Sequence, residues 1–253
     1  MIRCEIENGI HRLIIDRPAR RNAFDAATAR ALGDAIAAAQ ATPGARVIVI
    51  KGAAEVFSTG RDLKASAESA AGDGSARDPF SEDEAWVRIF HLLHRSSIPS
   101  VAVVRGYAVA GGFTLAMGCD FVLAERSAKF GAYEMRHGFP AAVCTPILAR
   151  VASPRIGLEL ALFGEEVGAE RLFAAGLINR LAEDTADLAK LEEEFVGRLA
   201  ALDPQAVKFT RDIFRAAETM PLDNALDMGR QLNQLIAATG GFAKAGQKLS
   251  QKR

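Results

Sequence analysis

Apolar and polar positions along this chain follow two rhythms, one suited to strands and one to helices. Residues 2–15 read as two short strands, and the Asn8-Gly9 pair between them is a strong hairpin signal. Asp25 can cap a helix running through an alanine-rich stretch to about Gln40, with Pro43-Gly44 as its stop. The run Arg-Val-Ile-Val-Ile (46–50) then reads as a fully buried strand, covered on both faces. Strand, helix and strand in that order point to an α/β domain.

From Lys64 to Pro79 the chain is Ala, Ser, Gly, Asp and Glu with almost nothing to bury, so a mobile surface loop or lid is expected there. Ser81 with Glu84 three residues on forms a capping box for a helix reaching about Arg95, and Pro99 breaks the chain before a strand at Val101 to Val104. Gly106 to Gly118 predicts a strand, a turn and a helix, followed by another strand at Phe121 to Ala124. Thr145-Pro146 and Ser153-Pro154 both read as an N-cap followed by proline in the first helical position. After about residue 183 the pattern is helical throughout, over roughly 184–202, 204–217 and 221–237, with breaks at Asp203-Pro204 and Met220-Pro221. No internal repeat is visible. The expected organisation is a core domain over 1–195 and a helical C-terminal region over 196–253.

Composition narrows the function classes. With 253 residues, 49% of them hydrophobic, the chain can bury one large core. Its 31 basic residues balance 31 acidic ones, which favours neither nucleic acid nor an anionic membrane as a partner. No apolar run approaches a membrane span, and the charged N-terminus lacks the apolar core of a signal peptide. Cys4, Cys119 and Cys144 are odd in number, far apart and without metal-ligand spacing, so they read as reduced, buried small hydrophobes of a cytoplasmic protein.

Two segments carry candidate chemistry: Phe-Ser-Thr-Gly-Arg-Asp-Leu-Lys (57–64) and Arg-Gly-Tyr-Ala-Val-Ala-Gly-Gly-Phe-Thr-Leu-Ala-Met-Gly-Cys-Asp (105–120). Neither is a phosphate-binding P-loop, a dinucleotide fingerprint or a serine-nucleophile elbow. Each sets a glycine directly after an apparent strand, where a backbone amide can approach a ligand closely. Gly111 and Gly112 also open a helix, where free N–H groups favour developing negative charge.

These segments resemble the two oxyanion-hole motifs of the crotonase (enoyl-CoA hydratase/isomerase) family. Phe-Gly-Ala-Tyr-Glu-Met-Arg-His-Gly-Phe-Pro (130–140) resembles the motif that carries its catalytic carboxylate, and the Asp-Arg-Pro and Arg-Asn-Ala-Phe pieces of 16–24 agree as well. The resemblance covers essentially the whole chain. It implies a crotonase-type α/β spiral of ββα units with a helical C-terminal region, and a homotrimer or a dimer of trimers. It further implies an acyl-CoA substrate whose thioester oxygen is bound by the N–H groups of Arg61 and Gly111, with Glu134 moving the proton. Ser58, Gly60, Asp62, Leu63 and Lys64 become the segment that contacts coenzyme A, and Phe242, with Lys244 or Lys248, matches the family's C-terminal contact to it. No metal and no cofactor beyond the coenzyme A of the substrate is implied.

One departure matters. Hydratases of the family usually carry a second glutamate where this chain has Thr114, and a threonine hydroxyl can position water but cannot act as a comparable base. A single carboxylate opposite an oxyanion hole suits the shift of a 3-enoyl-CoA to a 2-enoyl-CoA. Hydration or hydratase-lyase chemistry by one glutamate is the alternative, and a non-catalytic acyl-CoA-binding or assembly subunit is a third reading. His137 could relay protons to Glu134 or be an ordinary surface histidine. His91 and His94 stand three apart on one helix without a third ligand in any motif. Trp86 and Phe90, four apart, fit either an acyl tunnel or a core stripe.

Overall fold

The structure, a computed structural model, describes residues 1–62, 79–241 and 247. The predicted loop at 64–79 thus lies almost wholly outside the described residues, as do Leu63, Lys64, Phe242, Lys244 and Lys248. Strands β1 (Ile2–Glu7) and β2 (Ile10–Ile15) form the expected hairpin, with φ of 51° at Asn8 and 79° at Gly9, both left-handed as a two-residue primed turn demands. Helix α1 (Ala26–Ala41) starts behind Asp25, whose carboxylate accepts from the Thr28 amide at 2.8 Å.

The next strands come in pairs. β3 (Val47–Gly52) is followed by a bridge at Ser58 and then by α2 (Pro79–Arg95). β4 (Ser100–Val104) is followed by β5 (Tyr107–Val109) and α3 (Gly111–Met117), and β6 (Phe121–Glu125) by β7 (Lys129–Gly131) and a 3-10 turn over Tyr133–His137. Helices α4 (Cys144–Val151) and α5 (Pro154–Phe163), strand β8 (Val167–Gly168), helix α6 (Ala169–Ala174) and strand β9 (Arg180–Ala182) come next. The first strand of each pair enters a six-stranded sheet of order β1-β2-β3-β4-β6-β9, parallel from β2 onward. The second enters or bridges to a small sheet of order β5-β7-β8. This is the expected spiral of ββα units. Its repetition lives in the backbone and leaves no repeat in the side chains.

The central strands β3 and β4 of the large sheet are buried on both faces, which explains their continuous apolar runs. Ile48 and Ile50 of β3, with Ala102 and Val104 of β4, join the main core under α1, α2 and α3. Val47, Val49, Val101 and Val103 point the other way, into a second cluster with Leu188 and Val196 of α7 (Thr185–Ala200). Glu192 of α7, 5% exposed, accepts from Arg12 and Lys51 at 2.9 Å each and so ties the helix to β2 and β3.

Consequently the first compact unit runs from Met1 to Leu202, beyond the predicted limit at 195, and the second is Asp203–Arg253. Within the second unit, α8 (Pro204–Ala217) is capped by Asp203, which accepts from the Ala206 amide at 2.9 Å, and α9 (Leu222–Ala238) follows Pro221.

Two of three predicted helix starts are corrected. Helix α2 begins at Pro79, ahead of Ser81, so the predicted capping box lies inside the helix. Helix α4 begins at Cys144 behind Val143, and the Thr145 hydroxyl donates to the Ala141 carbonyl at 2.8 Å from within the first turn instead of capping it. Ser153 does occupy the N-cap of α5 with Pro154 behind it, but its side chain makes no capping bond. Cys119 and Cys144 are buried as expected; Cys4 is exposed, because β1 is the edge strand of the sheet.

Candidate active site

The segment after β3 is held along both edges. On one side it pairs with β5, through Ser58 N to Tyr107 O at 3.0 Å and Val109 N to Ser58 O at 3.1 Å. On the other, Phe24 N donates to Gly60 O at 2.7 Å and Asp62 N to Phe24 O at 2.8 Å. Peptide directions alternate along an extended chain, so with Gly60 O and Asp62 N turned to Phe24 the Arg61 amide points away from it. That amide has no acceptor among the described residues. The 16–24 stretch is the brace for this loop: fully buried Asn22 donates to Ala53 O and Val56 O at 2.9 and 2.6 Å, and Arg17 reaches Asp62 and Asp25.

The second segment turns sharply at Ala110, whose φ of 49° and ψ of −126° are strained for a residue with a side chain. The turn is pinned by Ala110 N to Gly131 O at 2.8 Å and by Thr114 N to Ala110 O at 3.1 Å. The Gly111 amide, first in α3, likewise has no acceptor among the described residues. The two segments touch. A Cβ on Gly60, itself at φ 81°, would lie 2.6 Å from the Gly111 nitrogen, and one on Gly112 would collide with the Ser58 carbonyl oxygen. Bond lengths then keep the Arg61 and Gly111 nitrogens within about 6.5 Å of each other. Two unpaired amides thus share one ledge.

Glu134 follows the small sheet, three residues beyond Gly131, the glycine that anchors Ala110. Its Oε2 is buried and has no hydrogen-bond partner among the described residues. Burial raises its pKa above the ordinary carboxylate value, opposed by its own backbone amide and by His137. The turn carrying it is fixed from outside: Tyr133 donates to Glu166 at 3.0 Å, and Arg136 stacks on Tyr133 and donates to Gly164 O at 2.6 Å.

A family model described as enoyl-CoA hydratase/isomerase matches residues 5–250. The chain belongs to the enoyl-CoA hydratase/isomerase family. A Thermus thermophilus protein named "Putative enoyl-CoA hydratase" is 31% identical over 252 residues, 98% of each chain. Carnitinyl-CoA dehydratase of Escherichia coli strain K12 is 33% identical over 215 residues, covering 84% of this chain and 79% of that one. Among solved structures, an enoyl-CoA hydratase from Polaromonas superposes with a TM-score of 0.88 at 25% identity, covering 99% of this chain and 97% of that one. The fold is accordingly the crotonase-type spiral.

Within this family member the residues singled out from sequence divide by role. Arg61 and Gly111 bring backbone to the ledge, and the Arg61 side chain turns outward to pair with Asp83. Ser58 is fully buried: its hydroxyl donates to Asn22 O at 2.8 Å and accepts from Gly60 N at 3.1 Å, so it shapes the loop. Asp62, 6% exposed, is turned onto Arg17 at 3.4 Å and Arg20 at 4.0 Å, again a loop brace. Thr114 is buried, its hydroxyl bonded to the Ala110 carbonyl at 3.3 Å.

Sequence reasoning missed Cys144. Its buried thiol, pushed up to about 12 chiefly by desolvation, bonds the Thr114 hydroxyl and feels the Glu134 charge, so it stays protonated near neutral pH. Nothing in its spacing marked it, because α4 delivers it from a distant part of the chain. His137 stacks on Phe139 with ring centres 6.1 Å apart. No group of three or more potential metal ligands exists among the described residues, His91 and His94 included.

Proposed function

We propose that this protein acts on an acyl-CoA thioester through an enolate, with Glu134 as its acid and base and with a preference for converting a 3-enoyl-CoA to a 2-enoyl-CoA. The observation that carries this reading is the buried carboxylate oxygen of Glu134, without a hydrogen-bond partner among the described residues, in a chain whose Arg61 and Gly111 amides likewise have no acceptor among them. In the proposed reaction the thioester oxygen accepts hydrogen bonds from Arg61 N–H and Gly111 N–H. One such preorganised donor is worth about 3–4 kcal/mol in the transition state. The carboxylate takes a proton from C2, the electrons pass into a dienolate held at the ledge, and the same group returns the proton to C4. No atom is gained or lost. The raised pKa makes Glu134 a stronger base once ionised and brings its titration closer to neutral pH.

Thr114 supports this preference, since its hydroxyl is spent on the Ala110 carbonyl and the neighbouring Cys144 thiol is no base near neutral pH. Hydration of a 2-enoyl-CoA by Glu134 alone is the second reading, favoured by the names of the hydratase and dehydratase relatives. Incubation with paired 3-enoyl-CoA and 2-enoyl-CoA substrates in heavy water, followed by mass spectrometry, tests both. Double-bond migration with deuterium uptake, abolished in Glu134→Gln, supports isomerisation. Gain of water by the 2-enoyl substrate replaces it with hydration, and retained CoA affinity without turnover of either would leave a binding subunit. Assembly into a homotrimer or a dimer of trimers belongs to the same proposal, supported by the exposed apolar side chains Phe214, Leu222, Leu226 and Leu235 of α8 and α9.

A further inference from the structure

We propose that Trp86 is the specificity-determining residue of the acyl pocket, its indole standing as a fixed wall beside the Gly111 amide and favouring short, compact acyl groups. This rests on the acyl-CoA reading above. A Cβ placed on Gly111 would meet Trp86 Cζ2 at 3.2 Å and Cη2 at 3.5 Å. The edge of the indole therefore lies within about 6 Å of the Gly111 nitrogen. A thioester oxygen bonded to that amide at about 2.9 Å brings the first carbons of its acyl chain against the ring.

The wall is held in place. Trp86 packs on Phe24 with ring centres 5.0 Å apart and planes at 55°, and on Phe90 at 5.1 Å and 80°. Aromatic pairs of this kind fix ring orientation beyond simple burial. Phe90 is itself lodged against α3, where its Cδ1 lies 2.7 Å from the Cβ position of Gly118. Trp86 is only partly buried, so it retains surface for a ligand, and one turn earlier Asp83 pairs with Arg61 and joins α2 to the ledge. Phe24 in turn is the residue whose backbone holds Gly60 and Asp62. The indole is thus packed into the same framework that aims the amides.

The chain contains one tryptophan, so its intrinsic fluorescence reports this ring alone. The experiment titrates the intact protein with free CoA and with acetyl-, butyryl-, octanoyl- and palmitoyl-CoA, which lack a double bond to move. Butyryl-CoA is expected to shift the emission while free CoA leaves it in place, and affinity should not rise from butyryl to octanoyl. In Trp86→Leu, followed by calorimetry, affinity should gain about fourfold for each methylene newly admitted, the transfer value of a buried CH2, with the free CoA affinity unchanged. If Trp86→Leu fails to fold, Trp86→Phe keeps a ring against Phe24 and Phe90 and is expected to shift the same octanoyl-to-butyryl ratio in the same direction. Bound acyl-CoA that leaves the emission unchanged overturns this proposal alone, as does a loss shared equally by free CoA and every acyl length. Absence of binding by CoA and all four thioesters overturns the acyl-CoA reading itself.

Discussion

The two halves of the candidate active site are built from different material. The ledge at Gly60, Arg61, Gly111 and Gly112 is backbone, locked by hydrogen bonds on both edges and by glycine contacts too close for any side chain. The other half rests on a side chain, the proposed carboxylate Glu134, carried on a short turn in and beside which Met135 and Phe139 lie exposed. The contrast teaches where each half is vulnerable. The ledge should tolerate replacement of the outward Arg61 side chain but no side chain on its glycines and no shift of its backbone, whereas the turn should depend on the Glu134 side chain itself.

The sharpest break of that comparison is Glu134→Gln. If the proposed chemistry holds, kcat should fall about 10²–10⁴-fold, the usual range for loss of a general acid-base group, in an assay of 2-enoyl-CoA formation. Thermal stability should rise slightly at neutral pH. Because burial raises this carboxyl's pKa, the folded protein binds the proton more tightly than the unfolded chain does, so stability declines as pH climbs through the folded value and the amide escapes that decline. Scanning calorimetry of the two proteins reads the difference; a variant that melts well below the parent would mean the carboxylate is structural.

Gly112→Ala should damage the other half through stability and rate together. Its Cβ has no room beside the Ser58 carbonyl, so the loop and the ledge must separate. Overpacking of this kind costs about 1–3 kcal/mol, and displacing one oxyanion donor costs about 10²–10³ in kcat. Urea melts and steady-state kinetics on one preparation would measure both.

The pH dependence sharpens the role of the turn. Glu134 must be ionised to take the first proton, and its pKa lies above the ordinary value, so the acid limb of kcat/KM should fall at a pH above the carboxylate norm of about 4.3. A limb at or below that norm would dissociate Glu134 from the chemistry.

Smaller effects probe the ledge. Ala110→Gly should relieve a left-handed strain of about 1–3 kcal/mol against the roughly 0.5–1 kcal/mol entropic cost of glycine, for a net gain of about 1 kcal/mol in urea unfolding. Arg61→Ala removes only the exposed pair with Asp83, so kcat/KM should change by no more than about fivefold, the equivalent of a surface ion pair. A loss of several orders of magnitude would show that the guanidinium, and not the amide, faces the substrate.

Much of the frame was legible in the chain. Asn8-Gly9 announces its hairpin, Asp25 and Asp203 their helices, and the unbroken run Val47 to Ile50 a strand covered on both faces. The short strands β7, β8 and β9 left no mark, being two or three residues long and fixed by their partners. Ser58 and Asp62 are expected from the family resemblance to belong to the segment that contacts coenzyme A. What the sequence does not reveal is that the Ser58 hydroxyl bonds the Asn22 carbonyl and the Asp62 carboxylate pairs with Arg17.

By itself, then, the sequence determined the α/β pattern, the glycines at 60, 111 and 112 and the glutamate at 134, because periodicity and backbone demands are written locally. Tertiary structure alone decided which way the Arg61 amide points, that Cys144 stands against Thr114, and that Trp86 leans on Gly111. Those relations join residues far apart in the chain, and only the spiral of paired strands brings their backbones close enough to meet.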